Sequence, residues 1–306
     1  MSSLAPRASS VGLPRAGHLL SAQQLHRLLN KAANGIEQTG NPILFEVGCG
    51  TPEAYCDSHI PGAHYIDTQT LETLPFWNAI DDTALLTRLA ALGIHHNTTV
   101  ILYGRNQCAA ARVAHLMLYA GVQDVRLLDG GFACWQAAGF GGASGMPEPP
   151  LPVPGFGLAT PANPQFKINL TQAQAIACAA VGSESKRTLV SIRTREEHTG
   201  QTSGYSYIAA KGDIPGALWG HAGKGGDVND MSDFQHPDGT MRSAADISAL
   251  WAQCGIHRDM HIAFFCGTGW RASLAFFYAW LMGWERISEF DGGWLEWSHS
   301  GVMHGS

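Results

Sequence analysis

A cysteine followed by a glycine-rich turn and an arginine is the most reactive arrangement in this sequence. The segment reads Cys266-Gly267-Thr268-Gly269-Trp270-Arg271, and it comes directly after an apolar run, residues 262–265. Glycines let such a turn curl tightly, so that successive backbone N–H groups point inward and bind an anion. An apolar helix predicted after the turn adds its positive N-terminal end. We therefore predict that Cys266 is a thiolate nucleophile that acts beside an anionic substrate without a histidine partner.

The other cysteines lack this setting. Cys49 also follows an apolar run, but Pro52 and Glu53 predict the first turn of a helix there, and no arginine follows. Cys108 is a candidate accessory thiol. Most of the remaining cysteines, Cys254 among them, we expect to be small buried hydrophobic residues. The total of seven, without a C-x-x-C pair, disfavours both a disulfide framework and a structural zinc site.

Composition and charge restrict the partners of the chain. There are 19 Lys and Arg against 25 Asp and Glu, which gives a formal net charge of −6. Nucleic acids and anionic membrane surfaces need a basic face, so we expect neither as a partner. A small anionic sulfur donor held by one or two arginines remains compatible. The sequence shows no membrane span and no apolar signal region, and its free thiols suit a reducing cytoplasm.

Apolar runs alternate with helical patterns along the first half. Residues 43–47 (ILFEV), 99–103 (TVILY) and 125–128 predict buried strands. Helices are predicted after Ser21 as N-cap, in a stretch that ends at Leu92-Gly93, and over residues 109–120. Strands that alternate with helices indicate an α/β fold, in which helices cover both faces of a parallel sheet.

The second half of the chain repeats the first. The segment Ile60-Pro61-Gly62-Ala63 recurs at residues 214–217, and the pattern Asp129-Gly130-Gly131 recurs at residues 291–293. A Gly- and Pro-rich stretch separates the copies. We therefore divide the chain into a flexible tail (1–17), a first domain (18–139), a linker (140–165) and a second domain (166–306).

These motifs resemble the rhodanese-like sulfurtransferases in their tandem-domain form. The Ile-Pro-Gly-Ala segments are similar to the family's N-terminal signature, residues 290–297 (FDGGWLEW) to its C-terminal signature, and residues 266–271 to its six-residue active loop. The loop and residues 199–207 (TGQTSGYSY) look closest to bacterial thiosulfate sulfurtransferases. The resemblance implies two tandem domains, each a parallel sheet flanked by helices. It also implies a catalytic second domain and a persulfide on Cys266.

On this basis we expect a thiosulfate sulfurtransferase without metal or organic cofactor. Cys266 would attack the outer sulfur of thiosulfate, and the amides of residues 267–271 would hold the persulfide. Arg271 would steady the sulfonate charge. A small-molecule or protein thiol, or cyanide, would then take the sulfur. The resemblance also gives Arg193 as a substrate-contacting arginine, although Ser191 stands where the family often has an aspartate.

Three alternatives remain open. The donor could be 3-mercaptopyruvate, because the resemblance implies that a similar loop with an uncharged last residue suits that donor. The chain could be a sulfur-relay or binding module without turnover. A cysteine-dependent phosphatase is disfavoured, since only four residues separate Cys266 from Arg271 and a phosphatase loop is longer.

The first copy lacks the nucleophile. When the two copies are aligned on their shared motifs, Gly104 falls opposite Cys266, Cys108 opposite Trp270, and Ala109 opposite Arg271. The fold motifs of this copy are retained. We therefore predict a catalytically silent scaffold that closes one side of the catalytic cleft, with Arg105 as a solvated surface residue.

Overall fold

The first half of the chain forms a five-stranded parallel sheet flanked by helices. The structure, a computed structural model, describes residues 13–33, 42–180, 187–225 and 227–301. The strands of this half are β1 (Leu19–Leu20), β2 (Ile43–Gly48), β3 (Ala63–Asp67), β4 (Glu72–Thr73), β5 (Asn78–Ala79), β6 (Thr99–Gly104) and β7 (Asp124–Leu128). The sheet order is β1-β7-β6-β2-β3, while β4 and β5 form a separate antiparallel pair. The helices are α1 (Ala22–Ala33), α2 (Glu53–Asp57), α3 (Asp82–Ala91), α4 (Gln107–Ala120) and α5 (Gly131–Ala137).

The second half builds a sheet with an equivalent strand order. Its strands are β8 (Lys167–Ile168), β9 (Arg187–Ser191), β10 (Leu218–Trp219), β11 (His261–Phe265) and β12 (Ile287–Phe290), in the order β8-β12-β11-β9-β10. The helices are α6 (Leu170–Ala180), α7 (Arg195–His198), α8 (Ala244–Gln253), α9 (Trp270–Leu281) and α10 (Gly293–His299). The predicted pair of α/β units with parallel sheets is confirmed.

Central strands are apolar because helices cover both of their faces. In β6 the side chains of Val100, Ile101 and Leu102 are all buried, as are those of Ala263 and Phe264 in β11. Consecutive buried positions require a continuous apolar run instead of the alternation of a half-exposed strand. The runs identified in the sequence are therefore the interior strands of each sheet.

Local capping sets the helix limits within a few residues of those predicted. The hydroxyl of Ser21 accepts the N–H of Gln24 at 3.3 Å, as expected for the cap of α1. Helix α4 begins at Gln107, earlier than predicted, because the Asn106 side chain accepts the N–H of Cys108 at 2.9 Å. Gly93, just after α3, has φ +78°, a conformation that glycine adopts without strain.

The Gly- and Pro-rich stretch between the halves lies against the first one. The N–H of His96 donates to the carbonyl of Phe156 at 2.9 Å, and the N–H of Ala162 donates to that of Ala120 at 3.1 Å. The Phe156 side chain is buried. These bonds hold the stretch at several points along its length, although the sequence predicts only an extended linker.

The two halves share one hydrophobic core. Helices α4 and α9 pack against each other, and nearly every residue of both is buried. The apolar cluster around them contains residues of both halves. None of the helices in the described ranges is long and apolar enough to cross a bilayer.

Candidate active site

Cys266 lies between β11 and the beginning of α9. Its side chain is almost fully buried, and its Sγ accepts the N–H of Gly269 at 3.2 Å. Gly269 has φ +100° and directly precedes α9. The sulfur is therefore held at the N-terminal end of a helix, where unpaired backbone N–H groups and the helix dipole stabilise negative charge.

Gly267 is required by the close approach of an aromatic ring. Its N–H donates to the hydroxyl of Tyr205 at 3.1 Å. A Cβ at this position would lie 2.3 Å from Cζ of that ring, which no side chain can tolerate. The glycine therefore lets Tyr205 support the loop from below the nucleophile.

The Asp-Gly-Gly motif of the second half leads into a helix that holds the loop carbonyls. The N–H groups of Trp294 and Leu295, in the first turn of α10, donate to the carbonyls of Cys266 and Gly267 at 2.8 and 3.0 Å. Gly293 packs so closely that a Cβ there would lie 2.7 Å from both carbonyl oxygens. The repeated motif thus fixes the loop that follows the central strand.

Arg271 is buried and forms an ion pair with Glu197. Its two terminal nitrogens each donate to a carboxylate oxygen of Glu197 at 2.8 Å, and Nη2 also donates to the Tyr205 hydroxyl at 2.7 Å. Burial by itself would raise the pKa of Glu197, but the hydrogen bonds and charge of Arg271 hold it below its ordinary value. The positive charge of Arg271 is therefore compensated by Glu197, and its contact with a donor sulfonate stays a prediction.

Arg193 holds the segment that precedes β10. It is fully buried, and it donates to the carbonyls of Gly212 at 2.7 Å and Ser203 at 3.3 Å. Ser191 donates to Asp213 at 2.6 Å, and the other oxygen of that carboxylate lies 3.8 Å from Arg193. The acidic neighbour missing from the strand is thus supplied by Asp213. Arg193 contacts this segment instead of the catalytic loop, and its role as a substrate contact stays a prediction.

An aromatic cavity of about 180 Å³ opens beside the middle of the loop. Its walls include Trp77 of the first half and Tyr205, Tyr207 and Trp270 of the second, and Thr268 lies at its base. Burial raises the pKa of the Tyr207 phenol, and the nearby Thr268 hydroxyl opposes this shift. The cavity is therefore built by both halves and reaches the catalytic loop.

A larger cavity, of about 490 Å³, is also lined by Tyr205. Its lining includes Arg271, Lys224 and Ser203, together with the carboxylates of Glu196 and Asp227. Cations and anions are therefore mixed on its walls, unlike the aromatic cavity.

A family model for the rhodanese-like domain matches residues 21–138 and 177–300. The chain belongs to the rhodanese-like domain family. It is 49% identical over 286 residues to the thiosulfate sulfurtransferase YnjE of Escherichia coli. The aligned region covers 94% of this chain and 64% of YnjE. It is 31% identical to the sulfur carrier protein TtuD of Thermus thermophilus, over 80% of this chain and 84% of TtuD. The chain therefore spans a little under two thirds of the length of YnjE.

Two solved structures have the same fold. The crystal structure of YnjE superposes with a TM-score of 0.87 at 48% identity, over 95% of this chain and 68% of that one. An anaerobic ergothioneine biosynthesis enzyme from Chlorobium limicola, in complex with trimethyl histidine, superposes with a TM-score of 0.84 at 36% identity. The match covers 95% of this chain and 70% of that enzyme.

A buried charge cluster joins the two rhodanese-like domains beneath the catalytic loop. Arg112 of α4 donates to Glu72 at 2.8 Å, to Glu289 at 3.0 Å and to Asp291 at 2.6 Å. A Cβ on Gly269 would lie 2.6 Å from Glu289 and 3.1 Å from Arg112. The first domain thus places the Arg112 guanidinium directly against the loop that holds Cys266.

The same cluster reaches the aromatic cavity through Trp270. The indole N–H of Trp270 lies 3.2 Å from a carboxylate oxygen of Glu72. Burial raises the pKa of Glu72 to about 7, against the opposing effect of Arg112. A second carboxylate at the interface, Asp129 of the first domain, accepts the N–H of Met241 of the second domain at 2.8 Å. Burial raises the pKa of Asp129 to about 7 as well. Two carboxyl groups at the domain boundary therefore titrate near neutrality.

The cysteines of the two rhodanese-like domains are more exposed than predicted. Only Cys108 and Cys266 are buried, so the expectation that most of the seven are buried is wrong, and Cys254 is half-buried. The other cysteines lie at element ends or on outward helix faces, where packing does not enclose them. Burial raises the pKa of Cys108 far above its ordinary value, which makes that thiol a poor nucleophile. Arg105 is half-exposed and donates to Glu46 at 2.9 Å, so it is tied to its own domain.

Four residues of the site were not predicted from the sequence: Glu197, Tyr205, Glu72 and Arg112. Glu197 carried a signal, because Thr194 and Glu197 have the spacing of a capping box and form both of its hydrogen bonds. Tyr205 lies in the segment that resembled bacterial relatives. Glu72 and Arg112 carried none, since nothing local distinguishes a buried interface charge from a surface one.

Proposed function

We propose that the chain is a sulfurtransferase that carries sulfane sulfur on Cys266, with thiosulfate as donor. The observation that supports this most is the position of Sγ, which accepts the Gly269 N–H at 3.2 Å at the beginning of α9. That environment favours a thiolate and the negative charge of a persulfide. The similarity to YnjE, a thiosulfate sulfurtransferase, supports the donor.

The proposed reaction has two steps, in which Cys266 first accepts sulfur and then transfers it. The Cys266 thiolate attacks the outer sulfur of thiosulfate, the S–S bond of the donor breaks, and sulfite leaves with the bonding electron pair. The resulting Cys266 persulfide anion then gives its outer sulfur to cyanide or to an acceptor thiolate, and the Cys266 thiolate is regenerated. Such a ping-pong cycle needs no metal or organic cofactor.

The first test locates the transferred sulfur. After thiosulfate treatment, mass spectrometry should find one added sulfur atom on the peptide that contains Cys266. Cys266→Ser should abolish both this label and thiocyanate formation, whereas Cys108→Ser and Cys49→Ser should retain them. Labelling mainly on Cys49 or Cys108 would exclude the proposal.

The second test compares donors. Because Glu197 compensates the charge of Arg271, 3-mercaptopyruvate remains a candidate donor beside thiosulfate. We expect kcat/KM to be highest for thiosulfate, lower for 3-mercaptopyruvate and undetectable for a phosphate monoester. A higher value for 3-mercaptopyruvate would move the assignment to that donor.

The aromatic cavity favours a second candidate function, in which the acceptor is an organic cation. Trp77, Tyr207 and Trp270 line it next to the catalytic loop. Aromatic faces attract quaternary ammonium groups. The solved enzyme from Chlorobium limicola binds trimethyl histidine, which carries such a group. Trimethyl histidine is therefore the acceptor that we propose as an alternative to a thiol.

Histidine provides the matched control for this acceptor, because it lacks the quaternary ammonium group. Persulfide-loaded protein should convert trimethyl histidine, but not histidine, to a sulfur-containing product detected by mass spectrometry. Trp77→Ala should raise the KM for this acceptor and leave persulfide formation from thiosulfate unchanged. Equal behaviour of the two acceptors would exclude the second candidate.

A further inference from the structure

One cysteine other than Cys266 lies within hydrogen-bond distance of a histidine. Cys254 follows α8, and its Sγ lies 3.4 Å from Nε2 of His221. The other ring nitrogen, Nδ1, lies 3.2 Å from a carboxylate oxygen of Asp233. Among the cysteines and histidines of the described residues, this is the only pair within hydrogen-bond distance. The three side chains follow one another in the order thiol, imidazole, carboxylate.

The carboxylate determines which nitrogen faces the thiol. With its proton on Nδ1, His221 donates to Asp233 and leaves the Nε2 lone pair free for the thiol proton. The ring also packs against Trp219, with a centroid distance of 3.7 Å and an angle of 30° between the ring planes. Asp233 has a lowered pKa, first because of its hydrogen bond to His221, so it stays ionised and stabilises an imidazolium. A cysteine, a base and an orienting carboxylate in this order make up an activated nucleophile.

Access and charge suit a small electrophile. Cys254 is half-buried, and His221 and Asp233 are partly exposed, so small molecules reach the cluster. The charged groups that face the thiol are His221 and Arg195, and Arg195 favours the thiolate. Burial outweighs Arg195 and raises the pKa of Cys254. The thiol therefore keeps its proton at rest and loses it to His221 as it reacts.

We propose that Cys254, His221 and Asp233 form a second sulfur-accepting site, which takes sulfane sulfur from small persulfides or inorganic polysulfide. The thiol proton moves to Nε2 of His221 as the Cys254 sulfur attacks the outer sulfur of the donor. The S–S bond of the donor breaks, a new S–S bond forms on Cys254, and the leaving thiolate takes the proton from His221. The choice of sulfane sulfur rests on the proposed function, whereas the activation of the thiol rests on the cluster alone.

The full-length Cys266→Ser variant isolates this site from the first one. It is treated with inorganic polysulfide, and persulfides are trapped with iodoacetamide and quantified peptide by peptide. Cys254 should be loaded at least about tenfold faster than Cys178, which is exposed and has no histidine partner among the described residues. Loading of Cys254 no faster than Cys178 would overturn the proposal.

A matched substitution tests the role of the base. His221→Phe keeps a ring against Trp219 but removes the nitrogen, and in a variant that stays folded it should lower the loading rate of Cys254 at least about tenfold. An unchanged loading rate in a folded variant would also overturn the proposal.

The closing control separates this site from the proposed function. With Cys266 intact, Cys254→Ser and His221→Phe should form thiocyanate from thiosulfate and cyanide at the wild-type rate. A wild-type chain that forms no thiocyanate would count against the sulfurtransferase assignment and leave the loading of Cys254 in Cys266→Ser as a separate result. Loss of thiocyanate formation in Cys254→Ser would instead show that Cys254 belongs to the first site.

Discussion

Cys266 and Arg271 begin and end the same loop, yet their side chains face different surroundings. The sulfur of Cys266 accepts a backbone N–H. The two terminal nitrogens of Arg271 instead donate to the two carboxylate oxygens of Glu197. Both members of that ion pair are about 1% exposed. Removal of one member of a buried pair leaves a charge without compensation and typically costs about 3–5 kcal/mol. We therefore expect Arg271 to contribute mainly to the stability of the fold around the loop.

Arg271→Ala should lower the free energy of unfolding by about 3–5 kcal/mol, because Glu197 stays buried without its partner. Denaturant unfolding measures this loss. The double variant Arg271→Met with Glu197→Leu should recover most of it, since apolar side chains of similar volume can replace a buried pair. A double variant as unstable as the single one would contradict the explanation.

The same double variant tests whether Arg271 touches the donor. If Arg271 binds the donor sulfonate, as the sequence predicts, loss of that charge-assisted hydrogen bond should raise the KM for thiosulfate by roughly 10- to 100-fold. A KM within a few-fold of the wild-type value in the folded double variant would show that Arg271 binds Glu197 and not the donor.

The strand–loop–helix element is held from three sides. Tyr205 supports Gly267, the first turn of α10 binds the carbonyl of Cys266, and the charge cluster of Arg112 packs against Gly269. The glycines of the loop are therefore dictated by neighbours that approach the backbone closely, as well as by the turn itself. A methyl group at one of these positions would displace the nucleophile from the helix N-terminus.

Gly269→Ala should reduce persulfide formation strongly. The residue has φ +100°, and a Cβ would lie 2.6 Å from the Glu289 carboxylate, so the loop must shift away from Cys266. Stopped-flow measurement of persulfide formation with thiosulfate gives the rate. Gly255→Ala is the matched control, because Gly255 has φ +73° but open space around it. Equal losses in both variants would show that backbone strain alone, and not the contact with the cluster, matters.

At the scale of the whole molecule, the first domain contributes directly to the candidate site in the second. It supplies Arg112 beneath the loop, Glu72 against Trp270, and Trp77 to the wall of the aromatic cavity. Its helix α4 covers α9 along the length of both helices. The first copy has lost the nucleophile but has kept the surfaces that the second copy needs.

The interface should make stability depend on pH. Glu72 and Asp129 have pKa values raised to about 7 by burial, so the folded chain binds these protons more tightly than the unfolded chain. The stabilisation that these raised pKa values give is fully present below about pH 4, where the carboxyls of the unfolded chain are also protonated, and it is lost as the pH rises through about 7. The free energy of unfolding should therefore fall between about pH 4 and pH 7.

Glu72→Gln and Asp129→Asn provide the control for this pH dependence. Each should flatten the decline, and the double variant should flatten it most, because the neutral amides no longer titrate. Denaturant unfolding at a series of pH values measures the slope. An unaltered slope in the double variant would show that other groups control the stability of the interface.

Separation of the domains should inactivate the chain. Residues 165–306 expressed alone should be poorly soluble or much less active, because α9 would expose the apolar surface that α4 covers. Soluble yield and thiocyanate formation, compared with the full chain, measure both effects. Full activity of residues 165–306, or any sulfur transfer by residues 1–150, would exclude the scaffold role of the first domain.

The sequence alone determined the duplicated α/β fold and the position of Cys266. Apolar runs, the repeated Asp-Gly-Gly motif and the Gly-rich loop are local patterns, and the physics that they express acts between residues close in the chain. The tertiary structure decided the partners of Arg271 and Arg193, the joint cavity and the cluster of Arg112. These depend on residues far apart in sequence, such as Arg112 and Glu289. Burial and charge compensation arise only when the two domains pack, so no local pattern records them.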